Sequence, residues 1–260
     1  LANPNAMLTE VHRQAWDSNV IRLATWIRTE MQIPTGEDYK RFGVPYFCAP
    51  LPAICEAVAR RNGDDSAVIV WTNLARRMVN RGVRFYLDLP PREAGPARGE
   101  LLLIRRNCRE MGLFNGSTAR VRRCRRHDDD ELSSSYYLVD FEDIDGTAWL
   151  PEKSWVEDVK LSYDENEAII ANLVDTRNIA AMRRLIEAAP GYAGTCHAYQ
   201  GSQFNRVFVV DEGVTDIHWI YTAVTRAEET LVVGAVRDWS KIKKSEKAKA
   251  LAKVEGPVRS

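Results

Sequence analysis

The stretch that decides the fold is Arg206-Val-Phe-Val-Val-Asp211, followed later in the chain by Leu231-Val-Val-Gly-Ala-Val236. Both are nearly continuous apolar runs with no polar alternation, the first of them β-branched and aromatic, the pattern of strands buried on both faces. Ala67-Val-Ile-Val-Trp71 is a third such run. Around them lie helical patterns over 17–31, 50–61, 73–84 and 175–189. Strands alternating with helices predict a parallel α/β sheet. The tail from Lys241 to Lys253 is rich in Lys and Ala and reads as a solvated helix.

The middle of the chain follows another rule. Leu101-Leu-Leu-Ile104, Ala119-Arg-Val121 and Tyr136-Tyr-Leu-Val139 are short strand-like runs. Asn115-Gly116 between the first two reads as a hairpin turn, since both residues tolerate positive φ. Residues 98–160 are therefore expected to form a small all-β insertion, with 1–97 and 161–260 as the two parts of the α/β layer. Asp128 to Ser135 would be an exposed hairpin tip. Charge is split across this insertion. Nine arginines (98, 105, 106, 109, 120, 122, 123, 125 and 126) face two acids over 98–126, and eight acids without a Lys or Arg fill 128–145.

Composition excludes less than it first suggests. The 260 residues carry 36 Lys+Arg against 36 Asp+Glu, a formal net charge of zero, which speaks to solubility but not to local patches. No apolar run approaches the roughly 18–20 residues of a membrane helix. Residues 1–6 have no signal-peptide pattern, so a cytoplasmic protein without membrane association is expected. Cys48, Cys55, Cys108, Cys124 and Cys196 are widely spaced and include no Cys-x-x-Cys, which suits reduced thiols. Cys124 and His127 are three apart, but no further ligands follow at zinc-like spacing, so no metal site is expected.

Three polar segments invite a chemical reading: Leu8-Thr-Glu-Val-His-Arg-Gln14, Gly191-Tyr-Ala-Gly-Thr-Cys-His197 continuing through Gln200-Gly-Ser-Gln203, and Tyr221-Thr-Ala-Val-Thr-Arg226. Singly, each has an ordinary explanation: a surface arginine at a helix start, a hydrogen-bonding histidine in a loop, a helix-end residue. In this order, the three resemble motifs IV, V and VI of superfamily 1 helicases, most closely the RecD-like, 5′-to-3′ subgroup of bacteria and phages. Thr72-Asn73, Arg76 and Asn80 resemble the segment that opens the second motor domain of that subgroup. Arg106-Asn107 with Gly112-Leu-Phe-Asn-Gly116 resembles the start of its SH3-like insertion. The resemblance spans roughly residues 7–236. It implies a RecA-like parallel sheet with helices on both faces, interrupted by the SH3-like unit.

The resemblance also implies roles. Arg13 and Arg226 would be arginine fingers, because a guanidinium stays charged and meets the γ-phosphoryl oxygens bidentately as their negative charge builds. Gln14, Gly201 and Gln203 would lie at the nucleotide. Thr72, Asn73, Thr195 and His197 would contact single-stranded DNA. Two positions depart from the pattern: Ala198 stands where the subgroup usually has Lys, and Gln203 where many relatives have Glu.

A phosphate-cradling Gly-x-x-x-x-Gly-Lys loop is absent, and the dipeptide Gly-Lys does not occur. Val209-Val-Asp-Glu212 follows motif V and is not read as a magnesium-binding strand end. The expectation is the C-terminal motor half of an ATP-dependent DNA helicase, inactive alone. ATP with Mg2+ would be held mainly by an N-terminal RecA-like half missing from these residues. The alternative is a non-enzymatic DNA- or protein-binding module derived from a helicase.

Overall fold

The computed structural model describes residues 18–60, 66–129, 134–199 and 202–254. The described residues divide into two compact units, one within 18–54, 66–71 and 203–254, the other within 55–60 and 72–202.

The first unit is built on parallel strands. Tyr46–Ala49, Ala227–Val236, Phe204–Asp211 and Ser66–Val70 are neighbours in that order. The predicted apolar runs supply the register: Val233 pairs with Val209, and Val209 with Ile69, all three buried. The α/β class expected from the sequence is the class observed. Gly234 keeps the sheet closed on one face, because a Cβ there would lie 2.8 Å from the Phe208 ring and 3.1 Å from that of Phe47. Those rings pack with centroids 5.8 Å apart.

The helix Asn19–Glu30 buries Val20, Leu23, Ala24 and Ile27, an i, i+3, i+4, i+7 stripe, against helix Ile217–Val224 and strand Ala227–Val236. Each large aliphatic side chain buried in this way contributes about 1.5–3 kcal/mol. The helix stops at Met31, whose backbone turns left-handed (φ 51°) while its N–H donates to the Ile27 carbonyl.

The second unit centres on an antiparallel sheet ordered Thr147–Pro151, Ser134–Phe141, Thr118–Asp129, Leu101–Ile104, Ala188–Pro190. Its last strand comes from beyond residues 98–160. Leu102, Ile104, Val121, Val139, Phe141, Leu150 and Trp155 form its core. The long hairpin stays paired as far as Asp129 and Ser134, further out than the expected tip at 128–135. Within it, Arg126 pairs with Asp128 (2.8 Å) and Glu152 (3.2 Å), so part of the acidic block neutralises part of the basic one.

The single helix predicted over 175–189 is not formed. Helices occupy Tyr163–Asp175 and Ile179–Arg183, and Ala188–Pro190 is a strand. Ser162 and Glu165 make a reciprocal capping box that starts the first helix, and Arg177 adopts φ 56° after it ends. Asn178 then caps the second helix by accepting from the Ala181 N–H.

Charge is also buried here. Arg84 pairs with Glu100, while the carboxylate of Asp158 receives Arg76 (2.9 Å), Arg105 (3.2 Å) and Arg92 (3.6 Å). Arg92 lies 4.6 Å and Arg84 5.4 Å from the Trp155 ring centre. Burial pushes Arg92 down to about 10 despite the attraction of Asp158. Among the described residues no helix is long and apolar enough to cross a membrane.

Candidate functional site

In the second unit, Thr72 ends an extended stretch and caps helix Asn73–Tyr86 by accepting from the Ala75 N–H at 3.1 Å. Its side-chain oxygen is thus committed to the helix start, which favours an anion nearby through the orphan N–H groups and the dipole. Asn73 is exposed; its carbonyl oxygen accepts from Arg76 Nε at 3.2 Å.

One helical turn beyond Arg76, Asn80 is almost fully buried and grips the backbone of Ala193 from both sides. It accepts from the Ala193 N–H at 2.9 Å and donates to the Ala193 carbonyl at 3.0 Å. The segment from Ala193 to Tyr199 is fixed again further along. Tyr199 packs under Gly194, where a Cβ would fall 2.6 Å from the ring. The Ala198 N–H closes a turn onto the Thr195 carbonyl at 2.9 Å. This turn leaves Thr195 half-buried and His197 exposed. Thr72, Asn73, Thr195 and His197 therefore belong to one unit, with helix Asn73–Tyr86 packed on the Gly194–Thr195 strand. The side chain of Asn80 links the two segments. In the sequence, Asn80 stands only as part of the segment that resembles the opening of a second motor domain and carries no role, since its spacing alone does not distinguish a backbone clamp from an ordinary helical Asn.

The Asn115-Gly116 turn is present, with Gly116 alone at positive φ (91°). The Ser117 N–H donates to the Phe114 carbonyl at 2.9 Å, so glycine occupies the third position, as a type II turn requires. Gly116 is also needed for space, since a Cβ would meet the Ala198 carbonyl oxygen at 2.2 Å.

In the first unit, Asp216 caps helix Ile217–Val224, accepting from the N–H groups of His218 (2.9 Å) and Trp219 (3.1 Å). Arg226 follows its last turn, half-buried, with Nε donating to the Thr222 carbonyl at 3.2 Å. A cation there complements the partial negative charge of the helix end. The Arg226 carbonyl accepts from the Phe204 N–H at 2.9 Å, which sets Arg226 beside the start of strand Phe204–Asp211 and next to exposed Gln203. Arg226 and Gln203 are thus brought together. Arg13, Gln14 and Gly201 lie outside the described residues.

The acidic pair after this strand serves the fold. Asp211 accepts from the N–H groups of Gly213 (2.8 Å) and Val214 (3.2 Å), and Glu212 accepts from the Trp71 N–H (2.7 Å). Cys124 and His127 do not converge. They are three apart on one strand, which places them on opposite faces. Cys124 packs on the core and His127 edge-on to Trp149.

Residues 190–233 match the family model of the UvrD-like helicase C-terminal domain, a span that contains Thr195, His197, Gly201, Gln203 and Arg226. No curated protein sequence matches the chain. Among solved structures, the Pif1 helicase of Candida albicans is similar at 14% identity and TM-score 0.49, over 92% of this chain and 60% of that one. The Bacteroides Pif1 helicase in complex with ADP-AlF3 and single-stranded DNA is similar at 12% identity and TM-score 0.44, over 94% and 57%. Bacteroides Pif1 bound to single-stranded DNA is similar at 12% identity and TM-score 0.45, over 89% and 54%. The chain spans about 60% or less of the length of these structures.

Proposed function

We propose that this chain supplies the second motor half of an ATP-dependent superfamily 1 DNA helicase of the RecD-like, 5′-to-3′ kind. The observation that carries the reading is the match over 190–233, which takes in motifs V and VI in order. The seat of Arg226 supports it: a half-buried arginine fixed through Nε at a helix end.

In this reading Arg226, with Arg13, places a guanidinium against the γ-phosphoryl group as charge builds there. Gln14, Gly201 and Gln203 border the nucleotide. Thr72, Asn73, Thr195 and His197 hold the phosphates and sugars of single-stranded DNA, with Asn80 fixing the backbone that carries Thr195 and His197. Mg2+ and a phosphate-cradling loop provide nucleotide charge neutralisation in such motors. The 260 residues contain no Gly-Lys dipeptide, and in this reading that loop is supplied by the other motor half. The five cysteines are free, as suits a reducing cytoplasm.

The 260-residue chain is expected to bind single-stranded DNA with strong salt dependence and to show no ATPase activity. ATP hydrolysis by the purified chain, abolished in Arg226→Ala, would overturn the assignment of half a motor. Absence of any binding to single-stranded DNA would overturn the DNA-binding roles.

A further inference from the structure

A single exposed phenylalanine is unremarkable by itself. Phe114 is 54% exposed, yet the turn that carries it is held at nearly every backbone group. The Ser117 hydroxyl donates to the Phe114 carbonyl at 2.7 Å and accepts from the Phe114 N–H at 3.2 Å. The Asn115 N–H donates to the Asn107 side chain at 2.7 Å, and the Gly116 N–H to the Ile104 carbonyl at 2.9 Å. Below the turn, the backbones of Cys108 and Leu113 exchange two hydrogen bonds at 2.7 and 3.0 Å.

This rigid mount is pressed onto the segment assigned to the DNA strand. Gly116 approaches the Ala198 carbonyl so closely that no side chain fits between them, and Ala198 directly follows exposed His197. Arg109 lies in the loop that the Cys108–Leu113 pair closes. It is exposed, and its side chain makes no ion pair among the described residues. An aromatic face, an exposed imidazole and an exposed guanidinium thus occur on adjoining segments. An aromatic ring offers every base a stacking surface, and an exposed arginine offers its phosphate a partner. A ring presented by a pinned turn loses little freedom on binding.

We infer that Phe114 is a base-stacking platform for single-stranded DNA passing His197, with Arg109 at the backbone phosphate. The inference rests on the DNA-binding reading of the Thr195–His197 segment.

The test measures fluorescence anisotropy of a labelled oligothymidylate titrated with the 260-residue chain. A second oligonucleotide of equal length carries abasic sites in place of its bases. Phe114→Ala should weaken binding of the oligothymidylate by about 5- to 100-fold and leave the abasic strand unaffected. Phe114→Trp should bind at least as tightly as the parent chain. If the parent binds and Phe114→Ala binds equally well, the platform is refuted while the DNA-binding reading stands. Equal weakening on both strands would also refute it, by showing that the ring acts through the turn and not through a base. If the parent binds neither strand, the DNA-binding reading fails and the platform with it.

Discussion

Replacing Asn80 by alanine should destabilise the second unit far more than a helix-face substitution normally does. The change removes two hydrogen bonds, of 2.9 and 3.0 Å, and leaves both polar groups of the fully buried Ala193 backbone without those partners. Each buried group stranded in this way costs about 1–3 kcal/mol, so Asn80→Ala should cost about 2–6 kcal/mol. That is a large part of the 5–15 kcal/mol typical of a whole domain, measurable as a shift of the urea midpoint. Asn80→Asp supplies the control. Its carboxylate still accepts from the Ala193 N–H but sets a negative oxygen against the Ala193 carbonyl, whereas its protonated form can donate there. The introduced carboxyl is therefore held above its ordinary value of about 3.9 in the folded state. Its stabilising contribution is present below about pH 3.9 and is lost as pH rises through the folded-state value. Asn80→Asp should gain stability relative to Asn80→Ala on acidification, since every other titrating group is shared. An alanine cost below about 0.5 kcal/mol, or no relative recovery of the aspartate variant in acid, would refute the clamp.

Asp158→Asn should be strongly destabilising although it is nearly isosteric. The carboxylate faces three arginines and the residue adopts φ 54°, a conformation asparagine tolerates, so the substitution isolates the charge. Removing one partner of a buried ion cluster costs about 3–5 kcal/mol, and an unchanged denaturation midpoint would contradict this. At the start of helix Tyr163–Asp175, Lys153 and the Ser162 cap hold Glu165 down to about 2, against an ordinary value of 4.5. Because the folded-state value is lowered, the cap's support is complete above pH 4.5 and fades as pH falls towards 2. Protection of the amides in the first turn of that helix, taken relative to their intrinsic exchange rates at each pH, should fall over this window in the parent chain and not in Glu165→Gln.

The parallel strands were legible because burial on both faces leaves a run of Val, Ile and Phe that no helix period explains. The second unit was only partly legible. Its hairpins announced themselves through Asn115-Gly116 and the short apolar runs, but Ala188–Pro190 is three residues long and ends in proline, so it carries no strand signal of its own. It is a strand because Leu101–Ile104 offers it an open edge. The false helix over 175–189 has a plainer cause. Ser162-x-x-Glu165 is a capping signature visible in sequence, and it places the helix start earlier. Of the candidate site, Thr72 and Arg226 stand where local rules put them, at a helix start and a helix end. The clamp by Asn80 joins residues 113 apart and leaves no local trace.

That clamp has a consequence for what lies between its ends. Asn80 and Ala193 bracket the entire antiparallel sheet, and the Gly191 N–H bonds the Leu101 carbonyl at 2.7 Å just inside them. The excursion is thus tied at its root like a bag at its neck. Doubling the length of a flexible closed loop costs only about 0.6 kcal/mol, so the root is indifferent to the size of what it encloses. The outer end of the hairpin inside the tie can be lengthened or shortened while the Thr195–His197 segment keeps its footing on the helix, whereas the Asn115-Gly116 turn, pressed on the Ala198 carbonyl, cannot be exchanged so freely. The outer end of the charge-split hairpin, beyond its core residues Val121, Tyr137, Val139 and Phe141, is in that sense cargo, free to diverge while the latch stays fixed.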